Sequence, residues 1–180
     1  MADDAQIDPR IEERTYEHDA FPRELEIQVL AFMRIVWADA FTKEDRHHSR
    51  MWPVPPPVHF VRAIGDLLVS HASFLPLEFD DGRGGRVRVA GVGAVMTYPQ
   101  FRGEGHASAV MRRAAAHIAA TADVGVLFCD ESNVPFYERL GWVRLAPGRV
   151  IVAGVVRDDV VMALGDASVL PDPLRTDHPW

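Results

Sequence analysis

The sequence predicts a single mixed α/β domain of the α+β type, with a mostly antiparallel central sheet flanked by helices. Three observations carry this prediction: apolar residues at helical spacing early in the chain, a run of strand-like segments separated by turn pairs, and two strand-then-helix units after it. A chain of 180 residues suits one domain and can bury a sizeable core without disulfide staples. Residues 1–180 are therefore read as one domain, with a polar leader over 1–20 and a C-terminal tail over 165–180.

The elements follow in chain order. The leader is acidic and has no apolar stretch, so it does not read as a signal peptide. Leu25, Val29, Phe32, Met33, Val36, Trp37 and Ala40 share one helical face, which predicts an amphipathic helix over 23–41. A shorter helix is expected within 42–52. Pro53, Pro55, Pro56 and Pro57 lack the N–H groups of a helix or central strand, so 53–57 is expected as an extended connection. Strands are then expected over 59–64, 67–79 and 86–97, joined by a Gly65-Asp66 turn and a Gly-rich loop over 80–85. In the last of these strands, alternation gives way to a continuous apolar run through Met96. That pattern fits a strand passing from an exposed margin into a core covered on both faces. Gly91 and Gly93 are candidate bulge positions. Ala107, Val110, Met111, Ala114 and Ile118 form a second helical stripe, and 124–128 reads as a buried strand. Ser132 is a candidate cap for a short helix running to Leu140, with Gly141 at its end. Runs over 150–156 and 160–164, joined at Asp158-Asp159, predict a final hairpin. As an edge element, that hairpin can close the sheet or pair between chains, which leaves a homodimer open.

Composition narrows the function classes. The net charge is −7, from 26 acidic and 19 basic residues, which argues against a nucleic-acid partner and is compatible with a cationic amine. The apolar runs are short and bounded by charge, so no membrane span is expected and the cytoplasm is the simplest location. Cys129 is the only cysteine, which excludes an internal disulfide framework and a cysteine-based zinc cluster. It reads as a small buried hydrophobe ending a strand, or as an acyl-carrying nucleophile if something activates it. His47-His48 lacks a third ligand, and neighbouring helical side chains diverge by about 100°. No metal is expected.

The most specific segment is Gln100-Phe101-Arg102-Gly103-Glu104-Gly105-His106-Ala107, between a strand and a helix. A Gly-rich turn there aims backbone N–H groups at one point, where the helix dipole adds positive charge, so the site suits a pyrophosphate. Its spacing, Gln-x-x-Gly-x-Gly, lacks the ending of a nucleotide-triphosphate loop and the first glycine of a dinucleotide fingerprint. Further on stands Asn133-Val134-Pro135-Phe136-Tyr137-Glu138-Arg139-Leu140-Gly141-Trp142. Together, the two segments resemble the GNAT superfamily of acetyl-CoA-dependent N-acetyltransferases.

That resemblance implies a GNAT-like sheet in which the strand containing residues 93–96 splays from the next one, the gap receiving the pantetheine arm of acetyl-CoA. It implies that backbone N–H groups of Arg102, Gly103, Gly105, His106 and Ala107 bind the pyrophosphate, and that the strand at Val95 and Met96 bonds the pantetheine and the thioester. Tyr137 stands at the family position that protonates the departing thiolate; its other reading is an aromatic packing a short helix. A phenol with an ordinary pKa near 10 can return a proton as charge develops on sulfur. Asn133 fits a polar contact to the cofactor or a helix-start cap, and Arg102 either pairs with phosphate or is solvated. The implied reaction is direct attack of a neutral primary amine, with a small molecule as the favoured acceptor and a protein or peptide amine, or cofactor binding without catalysis, as alternatives.

The general base is open. Some relatives, including aminoglycoside 2′-N-acetyltransferases, carry a carboxylate at the position of Gly93, which this chain lacks. Glu78, Asp130, Glu131, His71 and Asp39 are the other candidates. A looser resemblance to the 2′-N-acetyltransferases rests on Trp37-Ala38-Asp39-Ala40-Phe41 and on the acidic tail ending in Trp180. It implies that Asp172, Asp177 and the terminal carboxylate of Trp180 attract a polyamine acceptor; Asp39 and Glu78 are further candidates for contacting the acceptor.

Overall fold

The computed structural model describes residues 8–38, 55–81, 84–152, 154–156 and 159–176. The helix expected within 42–52, His47-His48, Asp39, Asp177 and Trp180 lie outside the described residues.

Ten strands and three α-helices account for the described fold, and from β2 through the second strand-helix unit the order of elements matches the expected one. β1 is Glu12–Glu17, α1 Arg23–Val36, β2 Val58–Ile64, β3 Leu67–Asp80 and β4 Arg86–Thr97. They are followed by α2 His106–Thr121, β5 Val124–Cys129, α3 Val134–Glu138 and β6 Val143–Arg144. β7 Val150–Val152, β8 Val155–Val156, β9 Val160–Gly165 and β10 Leu174–Thr176 complete the chain. The main sheet has the order β1-β2-β3-β4-β5-β9-β6, antiparallel except where β4 and β5 run parallel. A small sheet of order β10-β7-β8 packs beside it. No helix among the described residues is long and apolar enough to cross a membrane.

Both faces of the sheet are covered, which is why its central strands read as continuous apolar runs rather than alternating ones. On one face, Val110, Met111, Ala114 and Ile118 of α2 meet Phe60, Ala72, Phe74, Ala90, Val92 and Leu127. The opposite face is divided. Leu25, Val29 and Phe32 of α1 cover Val61, Ala63, Leu68 and Met96, while Val150, Val152 and Leu174 cover Val89, Val124, Val126 and Ala163. α1 is tied down by Gln28, which accepts from the Leu68 N–H at 3.0 Å and donates to the Asp66 carbonyl at 2.6 Å.

Four sequence expectations need correction. The first helix, expected over 23–41, ends at Val36, where Trp37 leaves the helical region with φ −119°. Glu12–Glu17 lies within the stretch read as a polar leader, yet it pairs along its length with β2 as the sheet's edge. Its charged residues, such as Arg14 paired to Glu12 at 2.8 Å, are what an edge strand tolerates, and they hide it from a hydrophobic pattern. The hairpin over 150–164 does not form. A tight turn with Gly154 at φ 79° folds β7 back on β8, with β10 on the other side of β7, and β9 instead sits between β5 and β6. The short helix also differs: α3 ends at Glu138, its N-cap is Asn133, and no side chain caps it, Ser132 included.

Candidate active site

The glycine loop has the geometry its sequence demands. Gly103 has φ 85° and Gly105 φ 81°, left-handed values that an L side chain rarely adopts. Gly105 is the N-cap of α2 and makes no side-chain cap bond, so the first turn of a 16-residue helix presents its free N–H groups to whatever lies in front of it. A Cβ built on Gly103 or Gly105 would meet nothing within 4 Å, so the space over the loop is open.

Beside the loop, β4 and β5 part. Their parallel pairing runs from Val89↔Val124 to Val92↔Leu127 and then stops, while β4 continues to Thr97 bonded only to β3. A bulge marks the change: Ala94 and Val95 stand opposite the single Ala72, and Ala94 takes φ 48°, the one positive value among described non-glycine residues. The extra residue reverses the faces of the strand. Before it, Ala90 and Val92 face α2; after it, Met96 faces α1 while Val95 packs toward α2. Gly93 itself is in register with Ser73, next to the bulge.

A cavity of about 530 Å³ occupies this junction. Every residue expected to contact the cofactor lines it: Val95 and Met96 from β4, Arg102, Gly103, Gly105, His106 and Ala107 from the loop and α2, and Asn133. So does Tyr137, from α3 on the far wall. The His106 side chain is turned inward, Nε2 lying 3.1 Å from Glu104 Oε2 with no exposure of the ring, so this residue offers its backbone to the cavity. Arg102 donates from Nε to the Thr97 carbonyl at 3.1 Å, which steadies the strand end where it meets the loop. Asn133 is exposed and makes no cap bond, leaving its amide to the cavity side. The sequence reading did not single out Phe32, Val36, Thr97, Phe101, Ser108, Phe136 or Arg139, which complete the walls. Phe32 and Val36 carried a signal, the helical stripe, but one that reads as core.

The remaining candidates lie elsewhere. Glu78 is exposed on β3 opposite Arg88, about 20 Å along β4 from Val95 at the usual rise per residue, and it pairs with Arg86 at 2.9 Å. Asp130 and Glu131 are exposed outside the cavity lining, and Glu131 is bound to Arg144. His71 is fully buried, with both ring nitrogens in hydrogen bonds inside the protein. Asp172 pairs with Arg149 at 2.7 Å.

Tyr137 in the cavity wall and its neighbour Cys129, outside the lining, are both shifted by burial. The Tyr137 hydroxyl is pushed well above the ordinary phenol range, chiefly by desolvation and further by the neighbouring Cys129. Cys129 itself is pushed up to about 11, again chiefly by burial, so it is a thiol at neutral pH and a poor nucleophile.

The match to known proteins agrees with this geometry. Residues 22–144 match the family model described as an acetyltransferase (GNAT) domain. The chain belongs to the GNAT acetyltransferases. No curated protein matches it in sequence. Among solved structures, Escherichia coli ElaA is 16% identical with a TM-score of 0.62, covering 86% of this chain and 99% of its own. An aminoglycoside 6′-N-acetyltransferase complexed with coenzyme A is 15% identical with a TM-score of 0.63, covering 89% of this chain and 99% of its own. An Enterococcus faecalis protein described as a probable N-acyltransferase is 22% identical, with a TM-score of 0.57 over 73% of this chain. This chain spans 32% of that longer one. At these identities the solved structures speak for the fold. As a GNAT protein the chain is an acetyl-CoA-dependent N-acetyltransferase, and the open, glycine-floored loop at the start of α2 fits the cofactor's pyrophosphate.

Proposed function

We propose that this GNAT protein acetylates a primary amine on a small molecule, with Tyr137 as the acid that returns a proton to the departing thiolate. The reading is carried by one observation: a single cavity is lined at once by the glycine loop, by the parted edge of β4 and by Tyr137. Acetyl-CoA, when bound, supplies an activated acyl group and a thiol leaving group. In this reading the N–H groups from Arg102 to Ala107 hold the pyrophosphate, Asn133 adds a polar contact, and β4 at Val95 and Met96 holds the pantetheine and the acyl carbonyl. A backbone N–H there meets the charge that develops on oxygen, and binding both reactants in line supplies much of the rate. Tyr137, like any phenol, is protonated at neutral pH, the state an acid requires, and burial raises it further, which makes the proton harder to release.

Among the described residues lining the cavity there is no Asp or Glu. Position 93 is glycine as well, so the base that takes the amine's proton is not assigned to a residue. The chain's net charge of −7 favours a cationic acceptor, which includes polyamines of the aminoglycoside kind.

The test is thiol release from acetyl-CoA across aminoglycosides, polyamines, amino acids and short peptides, with acetyl-CoA binding measured alongside. Release that depends on a small amine supports the proposal. Release only with peptides moves the acceptor to a protein, and tight binding without release to any amine leaves a cofactor-binding regulator.

A further inference from the structure

Three histidines on the β1–β3 side of the sheet form a continuous hydrogen-bonded series that ends at the bulge. His18 Nδ1 lies 3.1 Å from His59 Nε2, His59 Nδ1 lies 3.0 Å from His71 Nε2, and His71 Nδ1 lies 2.9 Å from the Ala94 carbonyl oxygen. His59 and His71 are completely buried, and Phe21 stacks on the His59 ring at 4.0 Å.

The end of the series decides its protonation pattern. A carbonyl can only accept, so His71 Nδ1 carries the hydrogen and, in a neutral ring, its Nε2 is an acceptor. His59 must then donate from Nδ1 and accept at Nε2, and His18 must donate from Nδ1. Burial keeps the His59 and His71 rings neutral, holding His71 down at about 4 and His59 at about 2. One backbone oxygen thereby selects the Nδ1–H tautomer in both of these rings.

What the series holds is the least comfortable peptide of the strand. Ala94 is in the left-handed region, a conformation that costs about 1 kcal/mol or more and persists only when its surroundings impose it. Its carbonyl belongs to the same peptide group as the Val95 N–H, and that peptide is trans. The two point in opposite directions across a trans peptide. Holding the carbonyl toward His71 on β3 therefore turns the Val95 N–H away from β3, to the side on which β5 has left β4 and the cavity opens. A hydrogen bond accepted by the carbonyl also polarises the N–H of the same group.

The geometry points to His71, backed by His59 and His18, as a positioning residue that fixes and polarises the Val95 N–H as the donor facing the acyl carbonyl. This rests on the transferase reading above for the identity of what the N–H faces.

The test pairs a tautomer measurement with two substitutions. Nitrogen NMR of the wild-type protein is expected to show His59 and His71 in the Nδ1–H form at neutral pH; an Nε2–H form at either ring overturns the series. In His71→Asn the amide falls near the lost Nδ1, and kcat is expected within about threefold of wild type. In His71→Gln it falls nearer Nε2, and kcat is expected to drop about tenfold with acetyl-CoA affinity within about twofold, a smaller loss than removing a direct oxyanion donor. Equal losses in both variants, no loss in the Gln variant, or a loss expressed in acetyl-CoA affinity overturns the assignment. The Val95 amide resonance is expected to move in His71→Gln and to hold in His71→Asn, with the reverse or no difference counting against it. That readout needs no turnover, so a wild-type protein that acetylates nothing sinks the transferase reading while the assignment of Val95 positioning is still decided.

Discussion

The two halves of β4 make a natural comparison. From Val89 to Val92 the strand is bonded on both sides, its side chains alternate cleanly between α2 and the small sheet, and nothing about it is chemical. From Ala94 to Thr97 it has lost β5, carries a bulge, leans on a buried side chain for one carbonyl, and lines the cavity. One inserted residue separates them. The comparison teaches that this fold makes its site by interrupting its own ladder: the backbone groups that would have bonded β5 are left for a ligand.

If the halves differ as argued, damage to the parted half should appear in function and damage to the paired half in stability. The largest effect is expected at the cavity wall. Tyr137→Phe should lower kcat at least tenfold and up to about a hundredfold, leaving acetyl-CoA affinity within about twofold. Unchanged turnover in that variant would remove Tyr137 as the acid. On β5, beside the paired half, Leu127→Ala opposite Val92 should cost about 3 kcal/mol of stability by opening a buried cavity, with kcat/KM of the folded enzyme within about twofold; urea unfolding beside steady-state kinetics checks both. Gly105→Ala sits between these. It places a Cβ in the open space over the loop and strains a left-handed residue by about 1 kcal/mol, so acetyl-CoA should bind about tenfold more weakly in a titration, with kcat less affected.

A further difference is the pH dependence carried by His59 and His71. Both have native values depressed below the ordinary 6.5, so the unfolded chain binds protons that the native protein refuses. Their contribution to stability is complete above about pH 6.5 and falls as the pH drops toward 4, by up to about 1.4 kcal/mol per pH unit for each ring. Urea midpoints measured from pH 7.5 down to 5 should show that decline. A midpoint that stays level would mean that the rings are not held neutral in the native protein.

Much of the site was legible because its parts are local. The left-handed glycines, the helix that follows them and Tyr137 on its short helix are each written within a few neighbouring residues. Glu78 misled because a carboxylate in a strand carries no signal of which end of the sheet it occupies; it sits at the far end from the cavity. β1 was hidden for the opposite reason, since a polar edge strand shows its role only through the partner it bonds.

The sequence by itself determined most of the element types and the glycine loop, because periodicity, turn chemistry and φ preference act over short stretches of chain; that Val95, Met96, Asn133 and Tyr137 gather at that loop was implied by the resemblance to the family. Only the tertiary structure decided where β4 leaves β5, that the extra residue falls at Ala94, that β9 joins the main sheet while β7 does not, and that His18, His59 and His71 line up behind the Ala94 carbonyl. Those contacts join residues 41, 12 and 23 positions apart. No local preference encodes them, because they exist only once the neighbouring strands have chosen their partners and registers.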